Sequence, residues 1–436
     1  MPHVAFVPLT GLRVREAELL DLGMSLPGLA RRANALAELP ALGLLTLAGM
    51  TPATWSCSYH DTATADEQLV ERVLGESPDL VAISALTASV TEAYSLSDKL
   101  RARGISVVLG GLHATCEPDE AGLHCDSVVV GDGEPVWQQI LDDATSGSVR
   151  PTYRAASVYD LADSPVPRFE LLGERSRPRF TLQTERGCPL ACDFCGASRL
   201  LGSFREKPVA NIRDELAAIN QIDPSPWLEL ADDNTFAGGR DTELLLSTIE
   251  SANARFFTEA DWRIGERPEL LKQLAASGCV QVLLGIESLV FRYPGMGPKQ
   301  SEFQRIMTAV DAIQDAGIVA NGCFIVGADG ETDESLDRLI KFILNSRLGE
   351  VQITLQTPFP GTALRRKLSI DGRLLADRDW SHYTLFDVTY RPDQISVKQL
   401  ERGFRRVIRA VFDSAANKKR GELRKSIWRK NPRFRT

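Results

Sequence analysis

At 436 residues the chain has room for two or three domains, each with its own core, and its 43% hydrophobic and 25% charged residues are ordinary for a soluble globular protein. A net charge of −8 and a pI near 5.4 argue against nucleic acid as an electrostatic partner. No apolar run approaches the roughly 18 residues a membrane-spanning helix needs.

The opening Met1-Pro-His-Val-Ala-Phe-Val7 lacks a basic region ahead of a long apolar core, so it reads as a first strand and not a signal peptide. Up to about residue 150, short β-rich runs alternate with helical patterns. The runs are Val4–Val7, Gly43–Leu47, Leu80–Ser84, Ser106–Leu109 and Ser127–Val130; the helices are Asp66–Leu74, Val90–Ala102 and Pro135–Ala144. The alternation predicts a doubly wound parallel α/β sheet over 1–150, with ligands held beyond the carboxyl ends of its strands. Small residues stand at those ends: Ser84 with Leu86, then Gly110-Gly111, then Gly131 in Gly131-Asp-Gly-Glu134. Glycines there let a flat ligand or its side arm approach the backbone.

These residues resemble the cobalamin-binding fold, in which Ser84, Leu86, Gly110, Gly111 and Gly131 would line the channel for the nucleotide tail. The family's Asp-x-His-x-x-Gly, whose His ligates cobalt, has no match here. His60 and His113 sit near loops but read as surface or satisfied residues. Without that ligand two expectations stand: a bound cobalamin, or a sheet domain that only packs on its neighbour.

Residues 151–178 hold Pro151, Pro165, Pro167 and Pro178 with no sustained period, the composition of a semi-rigid linker. From 179 to 368 the pattern is strand, loop, helix, repeated. Strands are predicted at Phe180–Thr184, Trp227–Ala231, Asp261–Ile264, Val280–Gly285, Gly322–Val326 and Val351–Gln356. Six βα units predict a partial (β/α)6 TIM-like barrel, with its chemistry at the carboxyl ends of the strands. Residues 369–436 read as a small α/β extension with a strand at Phe386–Tyr390, a long helix near Ser396–Ser414 and a solvated basic tail over Lys418–Arg435. His382, Tyr383 and Tyr390 are candidates to reach substrate from that extension, with edge packing the simpler alternative.

Within the barrel, Cys188, Cys192 and Cys195 form a C-x3-C-x2-C array on the loop after the first strand. A closed zinc site wants four ligands, but the next Cys is Cys279 and the next His is His382. Three loop thiolates suit an iron–sulfur cluster with one iron left open. The array, with Phe194 just before its last Cys, resembles the signature of the radical S-adenosylmethionine (SAM) superfamily, in the subgroup with a cobalamin-binding domain. The resemblance implies a [4Fe–4S] cluster on Cys188, Cys192 and Cys195. Its open iron chelates SAM, which an electron from a flavodoxin- or ferredoxin-type donor cleaves to a 5′-deoxyadenosyl radical. Oxygen-sensitive chemistry of this kind points to a reducing cytoplasm.

By the same resemblance Phe194, Gly196, Glu287, Ser288, Ile325 and Gly327 surround SAM, with Arg263 and Arg267 offering charge to a carboxylate. The strand ends also promise an acidic mouth of Glu229, Asp232, Asp233, Glu266 and Glu287, able to act as acid or base or to hold a polar substrate. Glu229, Asp232, Asp233 and Tyr383 are the candidate substrate or catalytic residues. The bland readings are a helix cap for Glu287-Ser288, a turn for Asp232-Asp-Asn234, and core packing for Cys279 and Cys323. The leading expectation is cobalamin-dependent methylation of a carbon in a small polar metabolite. Its rival is a non-methylating radical dehydration, epimerisation or rearrangement, and an iron–sulfur electron carrier stands as a remote third.

Overall fold

The computed structural model describes residues 1–9, 14–15, 17–19, 21, 39–62, 64–173, 179–196 and 200–434. Residues 174–178 of the expected linker and the end of the basic tail lie outside them. Two six-stranded parallel sheets organise the chain. The first runs in the order β2-β1-β3-β4-β5-β6, from β1 (His3–Leu9), β2 (Ser56–Tyr59), β3 (Leu80–Ala85), β4 (Ser106–Gly110), β5 (Ser127–Val130) and β6 (Thr152–Arg154). Strand order reverses beside β1, as in a doubly wound fold. Both faces are covered, so Val4, Ala5, Phe6 and Val7 are all fully buried, which is why β1 reads as a continuous apolar run.

The expected strand at Gly43–Leu47 is instead a helix, α1 (Leu42–Met50). Its residues are apolar on every side because both sides are buried. Leu44 and Ala48 join the core under the first sheet, while Leu45 joins the core of the second domain. Two edge strands were not expected. One, β6, lies within 151–178 and pairs with β5 at Val128–Val130. The following segment packs as well, with Phe169 and Leu172 in the large core.

The second sheet runs sequentially: β7 (Arg179–Leu182), β10 (Trp227–Leu230), β11 (Arg255–Ala260), β12 (Cys279–Glu287), β13 (Val319–Val326) and β14 (Glu350–Leu355). The edges β7 and β14 do not pair, leaving a partial barrel. Its third strand is Arg255–Ala260 and not Asp261–Ile264. Phe256, Thr258 and Ala260 are buried while Arg255 and Glu259 are open, the alternation of a strand with two unlike faces. Asp261 instead caps the 3-10 turn Trp262–Glu266 by accepting from the Arg263 N–H. Between β7 and β10, a two-residue antiparallel ladder of β8 (Glu185–Arg186) and β9 (Arg205–Glu206) forms the neck of a hairpin.

Downstream, Phe386–Tyr390 forms no strand beyond an isolated bridge from Leu374 to Tyr390. Two helices follow, α2 (Val397–Phe412) and α3 (Ser414–Trp428). The expected solvated tail is therefore mostly a docked helix. Arg424 pairs with Glu350 at 2.8 Å, Trp428 Nε1 donates to the Val280 carbonyl at 3.1 Å, and Asn431 donates to Cys279 and Gly317 carbonyls. These partners stand at the amino ends of β12–β14, so the tail seals the barrel floor opposite its chemistry.

Candidate active site

The loop between β8 and β9 carries Cys188, Cys192 and Cys195, and its backbone is pinned to neighbouring loops. Ala191 N–H donates to Gly295 O at 3.1 Å, Asp193 N–H to Pro294 O at 3.0 Å, and Asp193 O accepts from Leu364 N–H at 2.9 Å. Gly295 has φ +81°, and a Cβ there would lie 1.9 Å from the Ala191 carbonyl oxygen. Only glycine permits that approach. Beneath the loop Cys192, Tyr293, Met296 and Ala328 form a small core joined by Phe194, Cys195 and Ile325. Phe194 packs edge-on against Tyr293 at 4.6 Å between ring centroids, and Tyr293 donates to Gln356 at 3.0 Å. Cys192, Cys195, Phe194 and Ile325 are thus brought together, and Cys188 lies within electrostatic reach of Cys195. Gly196 lies just beyond on the same loop.

Among the described residues no three His, Cys, Asp or Glu side chains gather about a single ion. Three thiolates on one loop suit a cubane, whose cysteines bind different irons. Burial pushes the Cys192 thiol up to about 12 and raises that of Cys188. Iron, whose charge favours thiolate, is what would reverse this. Asn234 Nδ2 lies 3.8 Å from Cys188 Sγ, a sulfur-directed hydrogen bond.

The acidic mouth differs from its expected form. Asp232 is buried and fully occupied, accepting from Thr184 N–H at 2.7 Å, Thr184 Oγ1 at 2.6 Å, Glu185 N–H at 3.0 Å and Thr235 Oγ1 at 3.1 Å. It anchors the turn from β7 into the hairpin and has no oxygen to spare for a substrate. Glu266 lies on the surface in a two-point pair with Arg305. Glu229 and Glu259 stand on the face of β10 and β11 opposite the core residues Leu228, Leu230, Phe256 and Ala260 and so face the barrel lumen, and Asp233 follows at the end of β10. Burial lifts Glu229 to about 7. Burial and the neighbouring Asp232 lift Asp233 to about 6. Glu259 opens onto the lumen yet is walled by protein, and this enclosure, with Asp233 and Glu229 nearby, lifts it to about 8. Sequence reading missed Glu259 because it drew the third strand too late; the alternation Arg-Phe-Phe-Thr-Glu-Ala was the signal.

Glu287 ends β12 with φ +69°, an unfavourable conformation for a non-glycine residue. It forms a 2.5 Å ion pair with Lys299, with both side chains nearly buried. A Cβ on Gly285 would strike both partners. Ser288 Oγ accepts from Val290 and Phe291 N–H at 3.2 and 3.1 Å, a turn cap. Arg263 sits in the 3-10 turn, clasped by Asp261 at 2.7 Å, and Arg267 donates to the Phe236 carbonyl. Gly327 (φ +95°) accepts a hydrogen bond from the fully buried Tyr390 hydroxyl. Tyr390 therefore packs against the loop after β13, the simpler of the two alternatives for it. His382 is held by Asp379 at 2.8 Å.

In the first domain a cavity of about 290 Å3 opens at the carboxyl ends of β3, β4 and β5. Ser84, Gly110, Gly111 and Gly131 line its mouth, and Leu44, Leu47, Val108, Val129, Trp137 and Ile140 its apolar depth. Gly111 has φ +103°, and a Cβ on it would meet Ser84 Oγ at 3.1 Å. A narrow slot with small residues at its lip fits a cobalamin side arm. Leu86 lies outside it, 54% exposed, on an adjoining cavity. Neither histidine lines the slot. His60 pairs with Glu76 at 2.9 Å; His113 is 1% exposed and packs edge-on against Trp380 at 4.9 Å.

The two domains meet through charge. Asp132 and Glu134, beyond β5, receive Arg186 at 2.9 and 2.7 Å, and Asp132 also receives Arg205 at 2.6 Å. Arg186 and Arg205 face each other across the hairpin neck. One acidic pair on the first domain thus grips both strands that carry the thiols. Gln183, Arg186, Leu200 and Leu201 from this region complete the slot's wall. No sequence motif of the barrel pointed to this contact.

Comparison with known proteins agrees with this architecture. The B12 binding domain family matches residues 28–141 and the Radical SAM superfamily matches residues 182–343. Bacteriochlorophyllide d C-12(1)-methyltransferase of Chlorobaculum tepidum is 26% identical over 389 residues, spanning 86% of this chain and 84% of that one. Two solved structures share the fold. The radical S-adenosylmethionine methyltransferase TsrM from Kitasatospora setae, with cobalamin and a [4Fe-4S] cluster, has TM-score 0.70 and 15% identity, covering 95% of this chain and 90% of that one. The cobalamin-dependent S-adenosylmethionine radical enzyme OxsB with aqua-cobalamin has TM-score 0.69 and 15% identity, covering 92% and 66%. The chain belongs to the radical SAM superfamily, in the subgroup with a B12-binding domain ahead of the barrel, and is an enzyme whose cofactors are a [4Fe–4S] cluster, SAM and cobalamin.

Proposed function

We propose that this enzyme transfers a methyl group to a carbon of a small molecule. Cys188, Cys192 and Cys195 hold the cluster, Phe194, Gly196, Ile325 and Gly327 flank SAM, and Ser84, Gly110, Gly111 and Gly131 hold cobalamin. When bound, the cluster and SAM supply a 5′-deoxyadenosyl radical, and cobalamin supplies the methyl group. The observation that carries the reading is the shared wall: residues of the cluster hairpin line the cobalamin slot, so residues that would hold the cluster and residues that would hold cobalamin border one space. A relative named as a methyltransferase supports methylation over dehydration or rearrangement.

The protein's own residues orient and shield. Lys299 and Glu287 neutralise each other beside Cys192. Glu229, Asp233 and Glu259 offer the lumen protonatable oxygens in the neutral range, suited to holding a polar group or a proton. A flavodoxin- or ferredoxin-type protein delivers the electron. No helix among the described residues is long and apolar enough to cross a membrane. The test is anaerobic turnover with methyl-labelled SAM on reconstituted protein. A corrinoid absorption band and label in product are expected. A radical product without label would replace methylation by its rival, and absence of 5′-deoxyadenosine would remove both.

A further inference from the structure

Electron tunnelling weakens steeply with distance, so a donor protein has to dock where the thiol loop lies close to the surface. Two sides of that loop are taken. The first domain grips its neck through Asp132, Arg186 and Arg205, and the small core of Tyr293, Met296 and Ala328 lies beneath it. A third side carries the helix Ala363–Ile370. That helix starts on the loop itself: Leu364 N–H donates to Asp193 O at 2.9 Å, and Leu364 and Leu368 pack with Phe194. Asp193 and Phe194 lie between Cys192 and Cys195. Eight residues at 1.5 Å each make a helix of about 12 Å, so its whole outer face stays near the thiols.

Arg366, Lys367 and Ile370 point outward from this helix. Ile370, 86% exposed, is the most exposed large apolar side chain among the described residues. Basic groups surround it. Arg366 and Arg391 donate to carbonyl oxygens, of Gly361 at 2.9 Å and Gly372 at 3.0 Å. Lys367 and Arg373 share Asp329 at 2.8 and 2.9 Å. Arg292 is exposed beside Tyr293, and the next residue, Pro294, accepts from Asp193 N–H at 3.0 Å. The acids on this side are Asp329, the exposed Asp371 at the helix end, and Asp393, which accepts from Gly330 N–H at 3.0 Å. Basic side chains thus outnumber acidic ones here, in a chain whose net charge is −8. An apolar centre within a charged rim is the anatomy of a small, transient protein interface.

We propose that the outer face of Ala363–Ile370, with Arg292, Arg373 and Arg391 at its rim, docks the electron donor, and that the donor is an acidic protein carrying a one-electron centre. The inference rests on the radical reading above and adds a surface and a partner charge to it. Opposite charge steers the encounter, and Ile370 supplies the apolar contact at its centre. The donor's reduced flavin loses one electron and the cluster gains it, with no covalent bond made or broken.

The experiment uses anaerobically reconstituted protein and an acidic flavodoxin as probe. Calorimetric titration with oxidised flavodoxin reads binding alone, and stopped-flow bleaching of the cluster by photoreduced flavodoxin reads electron transfer, with dithionite as the small-molecule control. Affinity and transfer rate are expected to fall as salt is raised. Both should fall about tenfold or more in Arg366→Glu and in Arg391→Glu, while dithionite reduces the variants within about twofold of the parent rate. Two variants keep the result readable if one fails to fold. Flavodoxin affinity and rate unchanged in both folded variants, rates that rise with salt, or losses shared equally by dithionite overturn the proposal. Formation of 5′-deoxyadenosine with dithionite, measured on the unsubstituted chain, reports the enzymatic reading separately, so the two failures are told apart.

Discussion

Asp132→Asn tests how the first domain positions the cluster hairpin. Asp132 Oδ1 receives Arg186 at 2.9 Å and Oδ2 receives Arg205 at 2.6 Å. Side-chain exposures of 15%, 11% and 12% make these nearly buried, charge-assisted contacts. Each such hydrogen bond is worth about 1.5–3 kcal/mol, and stripping one partner from a buried pair costs about 3–5 kcal/mol. Both arginines keep other acceptors. Arg186 retains Glu134 and Gln183, and Arg205 retains the Leu201 and Ser203 carbonyls. The net loss is therefore about 2 kcal/mol, on the order of a thirtyfold shift where 1.4 kcal/mol is tenfold. Because Arg186 also walls the cobalamin slot, the loss should appear as weaker cobalamin binding and lower cluster occupancy. Corrinoid titration and electron paramagnetic resonance of the reduced cluster measure the two. A variant within twofold of the parent on both, with an unchanged urea midpoint, would refute the reasoning. Lys272→Ala, which removes an exposed pair with Glu269, serves as control and should stay within about 0.5 kcal/mol.

Cys188→Ala, Cys192→Ala or Cys195→Ala should each abolish cluster assembly and 5′-deoxyadenosine formation, read by iron content and chromatography; an active single variant would sink the ligand assignment. Lys299→Met strands Glu287 beside its lost partner and should destabilise the fold by about 3 kcal/mol in urea titration, whereas the double change Lys299→Met with Glu287→Gln should recover part of it. Gly295→Ala places a methyl against the Ala191 carbonyl at a positive φ, and should lower thermal stability and cluster uptake together by at least about 1 kcal/mol. For cofactor-free protein the lumen acids set a pH trend. Glu229 and Glu259 rise from 4.5 to about 7 and about 8, so the folded state binds their protons more tightly than the unfolded one. Their stabilisation is complete below about pH 4.5 and is lost as pH rises through 7 to 8. Melting temperature should fall over that window, and Glu229→Gln with Glu259→Gln should flatten the fall.

Much of this chain could be read without coordinates because the informative signals are local. Three thiols within eight residues must share one loop, and strand–helix alternation with small residues at strand ends places two sheet domains and their ligand-facing rims. Where an apolar run was buried on all sides, as at α1, local periodicity vanished and strand could not be told from helix. The site's working details were decided by partners distant in sequence. Asp232 and Glu259 are both carboxyl groups, yet Asp232 is consumed by the turn at Thr184 while Glu259 opens to the lumen. Glu287 is committed to Lys299, and Asp132 to two arginines across the domain boundary. A carboxylate's role depends on which donors surround it, and that environment exists only once remote segments have been packed together.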